Sequence, residues 1–351
     1  MAMDPQQMEK SCDTPRIAVI ILNWNGEALL REYLPRVAES TDPAISRLIV
    51  ADNGSTDGSL DYVRSTFGEK VEIMAFPENY GFAEGYNRAI AAAEGFPYVV
   101  LLNSDLVTTP GWDHTLLDYM ETNPTTAACQ PKILSLKQPD TFEYAGACGG
   151  FIDRNGYPYC RGRIFTTCEK DHGQYDEPMD VFWASGACLM VRRQLYLDAG
   201  GLDPKFFAHM EEIDLCWRLK LAGYHCAAVP AATVYHLGGG SLPAENPRKT
   251  YLNFRNNLIM LYKNLPRRGR RAFLFRRRLL DTLAWLKYIA TFDTANAGAI
   301  VRAHRDFAHM RRQYHTDVTK NLLHTEPGSG INILTAYFIR GLRSYAQLQK
   351  V

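Results

Sequence analysis

The sequence predicts an α/β fold in which a mostly parallel central sheet carries helices on both faces. Between residues 16 and 134, short apolar runs alternate with segments whose apolar residues recur at helical spacing. The apolar runs are continuous, as in strands buried on both faces, and several end in small polar or acidic residues. This alternation favours parallel, right-handed connections, which bring the carboxyl ends of the strands to the same side of the sheet.

The run Tyr98–Leu102 is the strand around which the rest is arranged. It ends in Asn103, Ser104 and Asp105. Open α/β sheets bind ligands outside the carboxyl ends of their strands, and a carboxylate there suits a hard divalent cation. The alternative is that Asp105 only caps the turn before Pro110.

The other elements follow from the same patterns. Further strands are predicted at 16–22, 47–51, 71–75, 127–134 and 227–235, with one more beginning in the small-residue segment 182–188. Helices are predicted at 27–40, up to 93, at 112–122, from Asp214 onwards, at 279–290 and at 331–348. Residues 135–178 are rich in Gly, Tyr and Cys, and we expect an irregular segment that covers the active site.

Composition places the chain among ordinary globular proteins, with 46% hydrophobic and 22% charged residues. A net charge of +1 provides no global field for nucleic acid, and we expect no nucleic-acid partner. Residues 1–14 are polar and lack the apolar centre of a signal peptide. No apolar run reaches the roughly 18 residues that a membrane-spanning helix needs, so no span is predicted.

The cysteines indicate a reducing compartment. The chain has eight, without a CxxC pair, and several stand in apolar surroundings typical of buried thiols. Cys148, Cys160, Cys168 and His172 are candidates for a zinc site, with free thiols in an irregular loop as the alternative.

Polar residues also follow the other strands. Asn23 follows the first strand, and Asp52 follows the second at the start of the turn 52–58. Asp52 suits recognition of a nucleotide base or ribose, although Asn-Gly and Asp-Gly pairs also favour ordinary turns. The third strand leads to Asn79 and Gly81 before a helix. Glycine allows close approach to a ligand, and a helix start favours phosphate.

These four motifs resemble family 2 glycosyltransferases with the GT-A fold, and most closely the bacterial rhamnosyltransferase-like branch. The matching segments are 20–26, 50–58, 78–83 and 101–105, in the same order over about ninety residues. The resemblance implies a GT-A catalytic domain at 15–257, between a disordered tail at 1–14 and a helical C-terminal region at 258–351.

The resemblance also implies roles for the polar residues. Asn23 would lie by the nucleoside, and Asp52 would contact the nucleobase. Asp105 would close a DxD-type motif that holds Mn²⁺ or Mg²⁺ and the diphosphate. Asn103 departs from that motif, because many relatives carry Asp there. Asn79, Gly81 and Ser104 complete the predicted donor site.

Three acids near residue 212 are candidates for the general base. Glu211, Glu212 and Asp214 stand at the start of an amphipathic helix, where like charges raise at least one pKa. The alternative is that they serve the helix dipole. The segment resembles the family's Glu-Asp-x-Asp-Leu motif, whose second acid deprotonates the acceptor. That position is Glu212, which we favour over Glu211 and Asp214.

Five further positions are predicted from the later motifs. Ser185 and Gly186 resemble the family's Ser-Gly-Ala segment, which implies a place beside the donor sugar and acceptor. Trp183 is a candidate for stacking on an acceptor sugar, with a core position as the alternative. His236 precedes three glycines and, with Asp105, would give a mixed oxygen and nitrogen metal site. Arg255 would reach the leaving diphosphate, or form a structural ion pair.

The C-terminal region carries a basic cluster. Residues 248–280 contain no Asp or Glu, while Arg recurs at 267–271 and 276–278 around apolar residues. This pattern is typical of a surface for anionic lipid, with a solvated basic helix face as the alternative. We therefore expect a cytoplasmic protein at the inner face of the plasma membrane.

The predicted function is inverting transfer of a sugar from a UDP- or dTDP-linked donor. The expected acceptor is a saccharide or lipid-linked saccharide in cell-surface polysaccharide synthesis. One alternative is a catalytically inactive scaffold that binds sugar nucleotide or lipid, which the departures at Asn103 and Glu212 favour. The other is a nucleotidyltransferase, but the turn 23–26 lacks the Lys or Arg that such enzymes use.

Overall fold

The computed structural model describes residues 15–238, 246–315 and 317–350. The predicted tail at 1–14 and the glycines at 239 and 240 lie outside the described residues. Within the described ranges, the chain forms one large mixed sheet flanked by helices, a second small sheet and a helical C-terminal region.

The large sheet has nine strands, which are β1 (Ile17–Asn23), β2 (Ser46–Asp52), β3 (Val71–Ala75), β4 (Tyr98–Leu102), β5 (Leu106–Thr108), β6 (Thr126–Ser135), β11 (Met179–Val181), β12 (Cys188–Arg192) and β13 (His225–His236). Their order in the sheet is β11-β13-β6-β12-β4-β1-β2-β3, with β5 paired to β13. Strands β4, β1, β2 and β3 run parallel, and β12 pairs antiparallel with both β4 and β6. The mostly parallel sheet is thus confirmed for its first half.

The sheet is buried on both faces, as the continuous apolar runs predict. In β1, Ala18 and Ile20 belong to the core on one face, whereas Ile17, Val19 and Ile21 belong to the core on the other. Side chains alternate along a strand, so both sets must be apolar when helices cover both faces.

The helices supply those two covering layers. They are α1 (Glu27–Ser40), α2 (Ser59–Phe67), α3 (Phe82–Ala92), α4 (Trp112–Thr122), α5 (Arg193–Asp198), α6 (Glu211–Leu221), α7 (Pro247–Asn264), α8 (Arg267–Ala290), α9 (Thr294–Met310) and α10 (Tyr345–Leu348). Residues of α1 and α4 join the core that contains Ile17, and residues of α3 and α6 join the core that contains Ala18.

The segment 135–178 is more ordered than predicted. It contains four short antiparallel strands, β7 (Gly150–Ile152), β8 (Pro158–Cys160), β9 (Arg163–Ile164) and β10 (Thr167–Cys168), which form the small sheet. Strands of two or three residues are too short to produce a readable alternation of apolar and polar residues, which explains why the sequence pattern missed them.

The C-terminal region packs against the small sheet. The predicted division at 257 falls inside α7, and one hydrophobic core joins Phe151 and Tyr159 of the small sheet with Leu261, Tyr345 and Leu348. The prediction of one helix over 331–348 is wrong. Residues Thr335–Ile339 form a π-helix, and α10 spans only four residues.

None of the helices in the described ranges combines the length and the apolar character needed to cross a bilayer.

Candidate active site

The carboxyl ends of β1, β2, β4 and β13 carry the polar residues that the sequence singled out. Asn23 and Asp52 close the paired strands β1 and β2, where they are register partners. His236 closes β13 and is the register partner of Leu106, one residue after Asp105. The strand directions therefore place residues that lie up to 213 positions apart, from Asn23 to His236, along the same edge of the sheet.

Asn23 and Asp52 are buried and bond to each other. The Asn23 amide donates to Asp52 Oδ1 at 2.8 Å, and the Ser55 backbone N–H donates to Asp52 Oδ2 at 2.9 Å. Each side chain is 1% exposed. In this structure Asp52 therefore fixes the turn that follows β2, and the adjacent Trp24, which is 57% exposed, presents a free aromatic face.

Asn53 links this turn to the third polar loop. Its amide donates to Asn79 Oδ1 at 2.9 Å and to the Gly81 carbonyl at 3.0 Å. The Tyr80 backbone N–H donates to Asn53 Oδ1 at 3.0 Å. Asn79 and Gly81 thus stand beside the Asp52 turn, as expected, and Gly81 has a φ of 79° that favours glycine at the start of α3. Asn53 was missed because an Asn in an Asn-Gly turn is unremarkable by pattern alone.

Asp105 and His236 are in direct contact. His236 Nε2 lies 3.0 Å from Asp105 Oδ1 and 3.3 Å from the Asn103 amide nitrogen. Burial alone would lower the pKa of His236, but its hydrogen bond with Asp105 and the nearby Glu143 carboxylate outweigh burial and raise it to about 9. Burial would likewise raise the pKa of Asp105, but His236 holds it below its usual value. Ser104, which lies between Asn103 and Asp105 in the chain, is half-buried.

Glu143 is a buried carboxylate that the sequence did not single out. Its Oε2 lies 3.4 Å from His236 Nδ1, on the side of the ring opposite Asp105. A Cβ at Gly238 would lie 2.5 Å from Glu143 Oε1, so the glycine after β13 leaves the space that this carboxylate occupies. No motif marks Glu143, which lies in the segment expected to be irregular.

The segment 185–187 connects the turn at Asn103 to the acids of α6. The Asn103 backbone N–H donates to the Ala187 carbonyl at 2.9 Å. A Cβ at Gly186 would lie 3.5 Å from Glu212 Cβ, so the Glu212 side chain lies against this glycine. The Ser185 hydroxyl donates to the Ala145 carbonyl at 2.7 Å and thereby holds the Glu143 loop. The segment thus lies between Asn103 and Glu212.

The three acids of α6 have different environments. Asp214 is fully buried and contacts Arg218 at 2.9 Å, Lys263 at 2.9 Å and Asn264 at 2.8 Å. Burial would raise the pKa of Asp214, but Arg218 and Lys263 lower it. Its contacts occupy both carboxylate oxygens, so Asp214 is a structural residue and the prediction of a catalytic role for it is corrected.

Glu211 and Glu212 each have one buried oxygen without a hydrogen-bond partner. Glu211 is 6% exposed, whereas Glu212 is only half-buried and lies against Gly186. Burial raises the pKa of Glu212 to about 7, and burial together with the Glu212 charge raises the pKa of Glu211 well above its usual value. Glu212 therefore has both access to the site and a pKa suited to a base at neutral pH.

Arg255 and Asn256 hold the loop that precedes these acids. Arg255 donates to the carbonyls of Lys205 and Phe206 at 3.1 and 2.8 Å. The Asn256 amide lies 2.8 to 2.9 Å from the carbonyls of Phe206, Ala208 and His209. Arg255 is thus engaged with backbone, and the structure corrects the prediction that its guanidinium reaches a diphosphate.

Two other expectations are corrected by burial and contacts. Trp183 is 2% exposed, its indole N–H donates to the Phe151 carbonyl at 3.0 Å, and its ring covers Gly150. It is a core residue and offers no face to a sugar. In the candidate zinc set, Cys148 Sγ and Cys160 Sγ lie 3.3 and 3.1 Å from the guanidinium groups of Arg161 and Arg163. Across the described ranges, no three His, Cys, Asp or Glu side chains form a metal-binding group.

The chemistry of the Asp105–His236 pair nevertheless fits a divalent cation with an incomplete protein shell. One carboxylate and one imidazole approach the same point, and Glu143 stands behind the imidazole as the outer carboxylate common around metal-binding histidines. Such a pair leaves coordination positions for the oxygens of a diphosphate.

Comparisons with known proteins agree with this geometry. The model of glycosyl transferase family 2 matches residues 18–197. The N-acetylglucosaminyl-diphospho-decaprenol L-rhamnosyltransferase of Mycobacterium tuberculosis is 30% identical over 240 residues, which cover 64% of this chain and 76% of that protein.

Two solved structures share the fold. The mannosyltransferase PcManGT from Pyrobaculum calidifontis, in complex with GDP-Man and Mn²⁺, has a TM-score of 0.50 at 16% identity and covers 85% of this chain and 84% of its own. GalNAc-T7 with UDP, GalNAc and Mn²⁺ has a TM-score of 0.54 at 14% identity. That match covers 70% of this chain, which spans 47% of the GalNAc-T7 chain.

The family model covers the polar ends of β1, β2 and β4 and the loop before α3, and it continues through Ser185, Gly186 and β12. The relatives extend the match over most of the chain, and the shared architecture is that of GT-A glycosyltransferases. The chain therefore belongs to glycosyl transferase family 2, with a rhamnosyltransferase as a relative, and it is a glycosyltransferase.

Proposed function

We propose that this glycosyltransferase inverts the anomeric centre of a nucleotide-diphospho-sugar and transfers the sugar to a saccharide hydroxyl. The observation that carries the proposal is the segment 185–187, which touches Asn103 on one side and Glu212 on the other. A sugar held at this segment would have the diphosphate-binding residues and the base on either side of its anomeric carbon.

Glu212 is the proposed base. Its ionised carboxylate takes the proton of the acceptor hydroxyl while that oxygen forms the new bond to the anomeric carbon. The bond to the nucleoside diphosphate breaks at the same time, and its electron pair leaves with the diphosphate. Glu212 Oε2 is buried without a hydrogen-bond partner in this structure, so taking up a proton there breaks no existing hydrogen bond.

The donor lies along the carboxyl ends of the strands in this proposal. The turn fixed by Asn23 and Asp52 receives the nucleoside, and Asn79, Gly81 and Ser104 surround the phosphates. Asp105 and His236 hold Mn²⁺ or Mg²⁺, which when bound would neutralise charge on the leaving diphosphate.

The acceptor is proposed to be lipid-linked. The Mycobacterium tuberculosis relative is named for transfer of L-rhamnose to N-acetylglucosaminyl-diphospho-decaprenol. Rhamnosyl transfer from a dTDP- or UDP-linked donor to such an acceptor, in cell-surface polysaccharide synthesis, is the corresponding proposal for this chain. The free cysteines fit a reducing cytoplasm, and a lipid-linked acceptor requires work at the membrane face.

The test is binding of UDP-, dTDP- and GDP-sugars by thermal shift and calorimetry, with and without Mn²⁺, to the wild type and Asp105→Ala. We expect one nucleotide class to stabilise the wild type in a metal-dependent manner, and Asp105→Ala to lose the metal dependence. Asp118→Ala, an exposed acid on α4, serves as the control and should behave as the wild type.

Two outcomes would contradict the proposal. If no nucleotide sugar stabilises the wild type, the donor site is wrong. If a nucleotide sugar binds but no sugar is transferred to any lipid-linked or soluble saccharide, the inactive scaffold becomes the better interpretation.

A further inference from the structure

A large basic cavity lies outside the active site, between α7, α8 and α9. Its volume is about 1410 Å³, and seven arginines are among the residues that line it. The only carboxylate in the described lining is Asp281, which is 1% exposed and contacts Arg277 at 2.9 Å and His304 at 3.1 Å. The lining therefore carries a surplus of positive charge that its own acid does not offset.

Some of these arginines have acidic neighbours at the rim. Arg267 lies 3.5 Å from Asp317, and Arg305 lies 3.1 Å from Asp306. Both arginines are exposed, and such surface pairs contribute little and are easily exchanged for another anion. Arg271, Arg278 and Arg312 are also exposed, and they point the surplus charge towards solvent.

An exposed apolar stripe runs along α8 beside the cavity. Phe275, Leu279, Leu283, Leu286 and Ile289 are each 41 to 65% exposed. At about 100° per residue they fall within an arc of about 120°, and Arg271 and Arg278 fall along one edge of that arc. The opposite face of α8 carries the buried pair Arg277–Asp281, so the stripe faces away from the protein.

This combination selects its partner by chemistry. A stripe of large exposed apolar side chains is stabilised by contact with an apolar medium, and the guanidinium groups beside it are stabilised by anions next to that medium. A bilayer with anionic phospholipids supplies acyl chains next to phosphates. A second copy of the chain would instead bring two arginine clusters together across a two-fold axis, where like charges repel.

We propose that the stripe on α8 and the arginine-lined cavity form a docking surface for an anionic phospholipid bilayer. The stripe enters the boundary between headgroups and acyl chains, and Arg271 and Arg278 bind lipid phosphates. This surface rests on the membrane part of the proposed function, since a lipid-linked acceptor must be met at a bilayer. Its test does not involve sugar transfer, so either claim can fail without the other.

The experiment is flotation of the full chain with vesicles of phosphatidylcholine alone or of phosphatidylcholine and phosphatidylglycerol in equal proportions. We expect binding only to the anionic vesicles, and weaker binding as salt rises. Arg271→Gln with Arg278→Gln should weaken binding about five-fold for each charge removed. Leu279→Gln with Leu283→Gln should weaken it while leaving the salt dependence unchanged.

The matched control is Arg36→Gln with Arg64→Gln, which removes the same charge from exposed positions on α1 and α2. It should bind as the wild type, and all variants should keep the wild-type circular dichroism spectrum and nucleotide-sugar binding. Equal loss in the control would mean that net charge alone acts, and it would overturn the assignment to this surface.

Three further results would also overturn it. The first is no flotation of the wild type, or equal flotation with neutral vesicles. The second is displacement by inorganic phosphate well beyond that by chloride at equal ionic strength, which would assign the cavity to a soluble phosphate ligand. The third is self-association of the wild type that Leu279→Gln with Leu283→Gln abolishes, without lipid binding, which would assign the stripe to a second copy.

Discussion

Glu211, Glu212 and Asp214 all lie in the first turn of α6, but only Glu212 lies against Gly186. Three acids in four residues look equivalent in the sequence. Their separation comes from their surroundings in the tertiary structure: cations and an amide for Asp214, burial for Glu211, and partial exposure beside Gly186 for Glu212. Single-residue variants should therefore give three different results.

Glu212→Gln should lower kcat by about 10²- to 10⁴-fold, because the amide cannot accept the acceptor proton. Binding of the donor should be unchanged, since the proposal assigns Glu212 to the acceptor and not to the donor. The measurement is a transfer assay together with calorimetry of donor binding. Glu94→Gln, an exposed acid next to α3, is the control and should retain full activity. A fully active Glu212→Gln enzyme would move the base to Glu211.

The pH dependence follows from the pKa of Glu212, which burial raises from 4.5 to about 7. Only the ionised carboxylate is a base, so kcat/KM should rise with pH up to about 7. The unfolded chain ionises this group near 4.5, whereas the native chain keeps the proton to about 7, so stability should fall as pH rises across that window.

A variant tests the same dependence of stability on pH. At pH 8 the unfolding free energy of Glu212→Gln should exceed that of the wild type by an amount on the order of 1–3 kcal/mol, so the variant should melt at a higher temperature. At pH 4 the two proteins should melt at nearly the same temperature. Thermal denaturation at the two pH values measures it. An equal difference at both values would show that burial of the charge is not the cause.

At the scale of elements, the loop between Pro204 and α6 positions the acids. Phe207, His209 and Met210 all have φ values near 70°, a region that favours glycine. Three such residues in four positions are strained unless the surrounding structure holds them. The Asn256 amide and the Arg255 guanidinium, both on α7, bond to the carbonyls of this loop and supply that restraint.

Asn256→Ala should therefore lower kcat by displacing Glu212, while donor affinity stays the same. Loss of the amide should also cost about 1–3 kcal/mol of stability, because buried carbonyls lose their donor. The matched control is Asn257→Ala. Asn257 is equally buried on α7, but its amide donates to the Gly156 carbonyl at 2.9 Å. It should lose stability without losing kcat, and equal loss of kcat in both variants would refute a positioning role for Asn256.

At the scale of the whole molecule, the C-terminal segment completes the core under the small sheet. Tyr345 stacks on Phe151 with a centroid distance of 5.1 Å, and its backbone N–H donates to Glu169 at 2.9 Å. The Ile333 backbone N–H donates to Asp153 at 3.0 Å. The segment after α9 thus packs against the small sheet.

Tyr345→Ala should lower the unfolding free energy by about 3 kcal/mol, the usual cost of removing a buried aromatic ring. Phe338→Ala, at an aromatic residue of the same segment that is 60% exposed, should change it by less than about 0.5 kcal/mol. Chemical denaturation measures both. Similar values for the two variants would mean that the C-terminal segment does not share the core in solution.

The sequence by itself determined the sheet strands β1 to β4, the helices α1 and α4, and the polar residues at the strand ends. Continuous apolar runs and abrupt polar ends are local properties, and a local pattern survives folding when the strand is buried on both faces. The family resemblance added the acids of α6 and the link between Asp105 and His236.

The tertiary structure decided what each polar side chain does. Arg255 and Trp183 carry the residue types expected of a binding site, yet their partners are backbone carbonyls of the fold. Glu143 carries no motif and was found only through its contact with His236, and only the contacts of Asn256 show that it holds the loop before α6. The exposure of the α8 stripe was equally invisible, because a helical pattern predicts two faces but not which one the core covers. A side chain's chemistry is local, whereas its partners come from distant parts of the chain, so only the folded structure assigns its role.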